Sequence, residues 1–257
     1  MNAPRSNGAA LVTGAASGIG LAIAESLVAE GTPVVGFDLN SEGLEKAASR
    51  LGEGFRPCAG SVTDAADVDR AVKAAEVHGG HIRSLYNVAG GLRAAPLHEL
   101  SEEDWDFTVD LVLKGVFLCT RAVARSMIAA GAGGSIVNIS SLNAHIPLYG
   151  GSAYAAGKSG VEMFGKNAAL ELGRHGIRVN TVLPGLVDTP MAGFITASEG
   201  IMNEFRENAV LKRPALPAEL AAPAIFLASD AASYITGTSL AVDGGYEVGS
   251  YPDLSKY

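Results

Sequence analysis

The feature that most limits how this chain can fold is an alternation kept up from end to end. Short apolar runs of four to six residues are each followed by a longer amphipathic stretch. An apolar run of that length reads as a strand buried on both faces, and parallel strands need a crossover between them, usually a helix. Seven runs qualify: Ala9–Thr13, Val34–Asp38, Phe55–Gly60, Ser84–Val88, Ser135–Ser140, Arg178–Leu183 and Ser239–Val242. Each is bounded by Gly, Pro, Ser or Asp, which punctuate strands. The pattern predicts an α/β chain with a mostly parallel, doubly wound seven-stranded sheet and helices on both faces. The first helix is expected from about Gly18 to Glu30 with Gly31 ending it, and Asp64 and Ser101 read as N-caps of later helices. A chain of 257 residues, 48% of them hydrophobic, can bury one full core, so a single domain over residues 8–246 is expected, with tails at 1–7 and 247–257.

Charge and cysteine usage narrow the function classes. A formal charge of -8 with no basic run argues against a phosphate-backbone binder and for small-molecule chemistry. Cys58 and Cys119 lie in apolar stretches without metal-ligand spacing and read as buried free thiols. The five histidines form no zinc pattern, so no metal is expected. Glu102, Glu103 and Asp104 follow the Ser101 cap and complement a helix dipole. Residues 1–8 carry no apolar signal core and no stretch approaches a membrane span, so a cytoplasmic protein with no membrane partner is expected.

Directly after the first strand comes Thr13-Gly14-Ala15-Ala16-Ser17-Gly18-Ile19-Gly20. Glycines there let the backbone turn sharply and approach a pyrophosphate at a helix N-terminus. Asp38 closes the second strand eighteen residues beyond Gly20, placed to accept hydrogen bonds from a ribose 2′-hydroxyl. A 2′-phosphate would meet that carboxylate instead, and neither Ala16 nor Leu39 offers a cation to offset the repulsion. The dinucleotide-binding Rossmann arrangement and NAD, rather than NADP, follow.

Past the middle of the chain, Tyr154 precedes Lys158 by four residues, and Ser141 lies thirteen before Tyr154. A free tyrosine, with a pKa of about 10, is a poor acid or base at neutral pH. Four residues make about one helical turn, so Lys158 shares a face with Tyr154 and its charge would favour the phenolate. The spacing alone is common; the glycine loop and Asp38 give it context.

With that loop and Tyr154-Ala155-Ala156-Gly157-Lys158 together, the chain resembles the classical short-chain dehydrogenase/reductase family, from about Gly8 to Tyr246. Asn87-Val88-Ala89-Gly90, Asn138-Ile139-Ser140-Ser141, Arg178-Val179-Asn180, Pro184-Gly185-Leu186-Val187-Asp188-Thr189 and Asp243-Gly244-Gly245 resemble further family segments in the family's order. The resemblance implies that Tyr154 takes the alcohol proton and Ser141 steadies the substrate oxygen, while Lys158 lowers the tyrosine pKa and holds the nicotinamide ribose. It implies cofactor contacts from Gly14, Ser17, Gly18, Ile19, Gly20, Asp38, Leu39, Val62, Asn87, Ala89, Gly90, Tyr154 and Lys158, and, around the nicotinamide, from Pro184, Gly185, Val187 and Thr189. A homotetramer is the family's usual assembly.

Three positions depart from the family pattern. Ser61-Val62 stands where an Asp-Val pair is usual, and Val88 replaces the second Asn of the Asn-Asn-Ala-Gly segment. Val112 replaces the helix Asn whose carbonyl holds a water on the proton path to the lysine; a valine keeps that carbonyl but lacks the amide that supports a local helix kink. The segment from about 190 to 215 would fold over the substrate as a lid. Met191 and Phe194, with Leu92, His145, Leu148 and Tyr149, then suggest a hydrophobic, alicyclic or steroid-like alcohol or ketone. The expectation is an NAD-dependent oxidoreductase of secondary alcohols. Two alternatives stand beside it: an NADP-dependent ketone or 3-oxoacyl-carrier-protein reductase, and a catalytically silent nucleotide-binding protein.

Overall fold

The computed structural model describes residues 8–249, so the expected N-terminal tail and residues 250–257 of the C-terminal one lie outside the described residues. Seven strands form one sheet: β1 (Ala9–Thr13), β2 (Val34–Asp38), β3 (Phe55–Ala59), β4 (Ile82–Asn87), β5 (Gly134–Ile139), β6 (Ile177–Pro184) and β7 (Ser239–Val242). Their spatial order is β3-β2-β1-β4-β5-β6-β7. All six ladders are parallel, so the "mostly parallel" expectation resolves to wholly parallel among the described residues. The order reverses between β1 and β4, which opens a crevice at the carboxyl ends of the strands, the place where doubly wound sheets bind ligands.

The helices between the strands are α1 (Gly18–Ala29), α2 (Ser41–Leu51), α3 (Ala65–Gly79), α4 (Glu102–Val109), α5 (Gly115–Ala130), α6 (Ser152–Leu172), α7 (Gly193–Thr196), α8 (Glu199–Asn208) and α9 (Pro217–Ala228). Alternate side chains of the inner strands serve opposite cores. Leu11, Val35, Phe37, Leu85, Ile136 and Val179 pack with Val68 and Val72 of α3, Val123 and Met127 of α5 and Ala168 of α6. Val12, Val34, Tyr86, Val137 and Val182 pack on the other face with Ile23 and Leu27 of α1 and Leu220, Ala224 and Leu227 of α9. A strand covered on both faces must be apolar at every position, which is why the sequence shows continuous runs rather than alternation.

Local signals act where expected. The Asp64 carboxylate accepts from the Ala66 and Asp67 amides, and the Ser101 hydroxyl accepts from the Asp104 amide. Gly31 takes φ +80° just past α1. Cys58 and Cys119 are free and buried, and burial pushes the Cys119 thiol up to about 12. Glu103 and Asp104 are drawn to Arg93, whose guanidinium lies 3.3 and 2.9 Å from them. Strand β4 starts at Ile82 and stops at Asn87, because Val88 and Ala89 leave the ladder and donate their amides to Thr13 Oγ1 at 2.9 and 3.0 Å. Among the described residues no helix is long and apolar enough to cross a membrane.

The tightest backbone approach is in the glycine loop, where a Cβ on Gly20 would sit 2.2 Å from the Gly14 carbonyl oxygen. Gly20→Ala should therefore destabilise the protein by about 2 kcal/mol, the usual scale for overpacking against rigid backbone. Gly173, at φ −56° with nothing within 4 Å of its would-be Cβ, is the contrast. Gly173→Ala should be neutral or stabilise by about 0.5 kcal/mol. Urea unfolding of both variants checks the pair, and equal midpoints would contradict the packing argument.

Candidate active site

Strand β5 delivers Ser141 to the crevice. Two residues past the strand end, Ser141 is extended (φ −164°, ψ 154°) and starts a short 3-10 turn over Leu142–Ala144. Its Oγ accepts from the Asn143 amide at 3.1 Å and donates to Asn143 Oδ1 at 3.3 Å, while Asn143 Nδ2 donates to the Ile146 carbonyl. Asn143 therefore fixes the direction of the Ser141 hydroxyl, a role the sequence reading missed.

Helix α6 begins at Ser152, so Tyr154 and Lys158 occupy its first two turns on one face. Lys158 is 3% exposed, and its Nζ donates to the Ile139 carbonyl at 2.7 Å and lies 5.6 Å from the centre of the Tyr154 ring. Ser140 Oγ donates to the Lys158 carbonyl at 2.7 Å, joining α6 to the end of β5 one residue before Ser141. Burial pushes the Tyr154 phenol above its ordinary value, and a hydrogen bond with Ser141 pulls the other way. Burial also pulls the Lys158 ammonium down to about 8. The expected lowering of the tyrosine by the lysine is thus outweighed in the folded chain, since a low-dielectric site penalises both charged forms.

Val112 is fully buried beside this pair, and a Cβ on Gly157 would lie 2.4 Å from its Cγ2, so the absence of a side chain at 157 lets α6 close on it. Residues Asp110–Lys114 form a π-helical segment between α4 and α5. The helix therefore departs from α geometry at Val112 without an asparagine amide to support it, and the expectation that the irregularity depends on that amide is corrected. Asp110 is turned away to pair with Lys114 at 2.7 Å. A Cβ on Gly90 would lie 3.5 Å from Lys158 Nζ and 4.0 Å from Val112 Cγ1, so all three residues converge.

The glycine loop faces them. Ser17 occupies the N-cap position of α1, yet its hydroxyl caps none of the first-turn amides. Gly18 has φ +54°, and a Cβ there would lie 3.1 Å from Thr189 Cγ2, so loop and the turn after β6 meet across the crevice. Ile19 is half-buried next to them. Asp38 Oδ2 accepts from the Ala16 amide at 3.0 Å and Oδ1 from the Asn40 amide at 2.9 Å, pinning the loop while each oxygen keeps a further acceptor site. Leu39 beside it is 78% exposed, and Val62 is buried against Gly115. Asn87, expected as a cofactor contact, is buried and ties the sheet, donating to Asn138 Oδ1 at 2.9 Å and Thr120 Oγ1 at 3.1 Å.

On the far wall, Pro184 ends β6 and the Gly185 amide donates to the Val242 carbonyl at 3.1 Å. Val187 is buried and paired with Ala215, and the Thr189 hydroxyl donates to the Val187 carbonyl at 3.4 Å. The uncapped amides, the close glycines and an acceptor at the end of β2 fit a dinucleotide: diphosphate against α1, ribose at Asp38.

The residues of the expected lid divide. Met191 and Phe194 are 49% and 68% exposed, free to cover a ligand. Met202 is buried and Phe205 stacks on Tyr246 with ring centres 5.3 Å apart, so these two serve packing. Leu92 is half-buried, while Leu148 and Tyr149 are exposed. His145 does not stand free to meet a substrate: its Nε2 lies 2.8 Å from Glu162 Oε2 and its Nδ1 pairs with Glu247.

Comparison with known proteins bears on this geometry. A family profile described as enoyl-(acyl carrier protein) reductase matches residues 14–247. The chain is 44% identical to D-threitol dehydrogenase of Mycolicibacterium smegmatis, over 93% of this chain and 92% of that protein. It is 37% identical to 2,3-dihydro-2,3-dihydroxybenzoate dehydrogenase of Bacillus subtilis (93% and 96%) and 39% identical to (3R)-3-hydroxyacyl-CoA dehydrogenase of Mus musculus (92% and 95%). A solved short-chain dehydrogenase/reductase from Mycobacterium ulcerans superposes with a TM-score of 0.91 at 34% identity, over 98% of this chain and 94% of that one. With the sheet order, the crevice and the Ser141–Tyr154–Lys158 cluster in agreement, the chain is an oxidoreductase and belongs to the short-chain dehydrogenase/reductase family.

Proposed function

We propose that the protein is an NAD-dependent dehydrogenase that interconverts a secondary alcohol and a ketone, with Tyr154 as acid/base. The observation that carries this reading is the convergence of Ser141, Tyr154 and a buried Lys158 at the crevice that Asp38 and the glycine loop border. The nicotinamide, when bound, supplies the hydride chemistry. The chain's residues do the rest. Ser141 donates to the substrate oxygen, relinquishing its bond to Asn143, and Tyr154 holds or returns the hydroxyl proton. The Lys158 ammonium holds the nicotinamide ribose and draws the tyrosine towards its ionised form. Ser17, Ile19 and the loop glycines cradle the diphosphate, with Ala89 and Gly90 opposite. Pro184, Gly185, Val187 and Thr189 set the nicotinamide edge.

The substrate we favour is an uncharged diol, small or alicyclic. Met191 and Phe194 offer apolar cover, and the segment from Thr189 to Phe205 holds no cation to clamp a carboxylate or phosphate. Among relatives, one is named for D-threitol and another, from Sphingobium indicum, for a chlorinated cyclohexadienediol. The second reading is an NADP-dependent ketone or 3-oxoacyl-carrier-protein reductase, for which the family profile offers only a reductase of an acyl-carrier-protein substrate. The Asp38 carboxylate weighs against it by repelling a 2′-phosphate. On the first, NAD-dependent reading the protein is also a cytoplasmic homotetramer with a lid over residues 190–215.

Three outcomes test this. In thermal-shift measurements NAD should stabilise the protein more than NADP does, and Asp38→Ala should narrow the gap; stronger stabilisation by NADP would contradict the role of Asp38. With a panel of diols and NAD, Tyr154→Phe should turn over at least about a hundredfold more slowly than the parent while unfolding at the same temperature. Lys158→Met should abolish turnover yet raise stability by about 1–2 kcal/mol, because it removes a buried cation whose desolvation is only partly offset. The sign follows from linkage. Between pH 8 and 10.5 the unfolded chain binds the lysine proton and the folded chain does not, so this residue makes the parent's stability rise with pH there, and the variant should lack that slope.

A further inference from the structure

His145 stands at a junction that the proposed chemistry does not use. It follows Ser141 by four residues, and the segment it ends is already stitched to the catalytic helix, with Ser140 bonded to the Lys158 carbonyl and Ser159 Oγ donating to the Ala144 carbonyl at 2.9 Å. One ring nitrogen reaches Glu162 on α6, two turns beyond Tyr154; the other reaches Glu247, just past β7. Glu247 lies in the stretch that anchors the lid. There Tyr246 stacks on Phe205 of α8, and Gly244 accepts from the Leu211 amide at 3.0 Å. A Cβ on Gly245 would lie 2.8 Å from Val210, so lid and anchor pack closely. His145 is thus the shared contact of three parts: the Ser141 segment, the Tyr154 helix and the lid anchor.

We propose that His145 is a positioning residue which, as an imidazolium bridging Glu162 and Glu247, ties the lid anchor to the catalytic helix and releases it on deprotonation. Only the imidazolium donates from both nitrogens; a neutral ring has one donor and would turn a lone pair towards one of the two carboxylates. The charged groups around it are Glu162 and Lys166 from α6 and Glu247 from the anchor, with Lys166 Nζ and the Ser239 hydroxyl both on Glu162 Oε1 at 2.7 and 2.9 Å. With His145 protonated, these four ionisable groups sum to zero. Loss of the proton leaves a net negative charge between two carboxylates.

The pH window follows from the direction of each shift. Hydrogen bonding to Glu162 raises His145 above 6.5, partial burial opposes it, and Glu247 adds to the rise. Glu162 is held down at about 2, its burial overcome by Lys166, His145 and Ser239, so it stays ionised. A raised histidine contributes stability that is fully present below about pH 6.5 and is lost as pH rises through the folded value. The tie is therefore closed below about pH 6.5 and slackens as pH rises through the raised folded value.

The idea that loosening this tie alters substrate binding rests on the proposed lid, so the test reads the lid first without substrate or cofactor. Hydrogen exchange of residues 199–211 is measured at pH 6 and pH 9 in the parent, Glu247→Gln and His145→Arg, each pH being compared across variants so that intrinsic exchange cancels. The parent should match His145→Arg at pH 6 and exchange about threefold faster than it at pH 9, a factor expected of one partly exposed ion pair. Glu247→Gln should be fast at both. Exchange in the parent that tracks His145→Arg at both pH values, or Glu247→Gln indistinguishable from the parent at pH 6, would overturn the proposal. If the exchange result holds, KM for the diol should rise over the same window in the parent more than in His145→Arg, while kcat follows the same pH course in both. A flat KM would sink the link to substrate while leaving the tie itself established.

Discussion

The burial of the Lys158 ammonium is the constraint on which the rest of this structure depends. A cation that is 3% exposed needs acceptors close at hand, and the chain supplies the Ile139 carbonyl at 2.7 Å from the end of the inner strand β5. That bond sets where α6 lies, and with it Tyr154. The Ser140 bond to the Lys158 carbonyl and the void at Gly157 that admits Val112 follow from the same close approach. An isolated buried charge is costly, of the order of several kcal/mol, and two apolar cores on opposite faces of the sheet are what offset it.

The same low-dielectric setting gives the site its chemistry. Burial pushes Tyr154 up and Lys158 down to about 8, so the folded chain penalises both charged forms while the ammonium still predominates at neutral pH. Such a pair responds strongly to a further charge or hydrogen bond brought into the crevice, because little water is present to screen it. Asp38 has a comparable double position: it pins the glycine loop through the Ala16 amide and still presents acceptor sites at the end of β2. In the proposed reading, structure-holding and ligand-facing roles fall on the same carboxylate, as they do on the same lysine.

Much of this was legible in the sequence, for definite reasons. Strands buried on both faces leave continuous apolar runs, and β1 and β2 were readable to the residue; the exposed edge strand β7 was readable from its apolar run alone. The glycine loop and the Tyr154–Lys158 spacing were readable because they are local, within one turn or one helical repeat. What could not be read depends on partners far along the chain. His145 looked like a pocket residue, and its engagement with Glu162 and Glu247, 17 and 102 positions away, emerges only from the fold. The direction of the Tyr154 shift needed its burial, which no spacing reveals. The π segment at Val112 arises between two helices whose side-chain pattern runs on unbroken, so only the backbone discloses it. Asn143 was passed over because its importance lies in two hydrogen bonds to Ser141 rather than in any motif.

The central claim is that Tyr154 is the group whose proton moves, under the influence of Lys158. Ultraviolet titration of tyrosinate in the NAD-loaded protein, read as the difference between the parent and Tyr154→Phe, isolates this residue from the other six tyrosines. The account predicts one tyrosine ionising well below the ordinary value of about 10 with NAD present, a transition lost in Tyr154→Phe. Titration curves in which no tyrosine falls below that value, or in which the low transition survives the substitution, would contradict it.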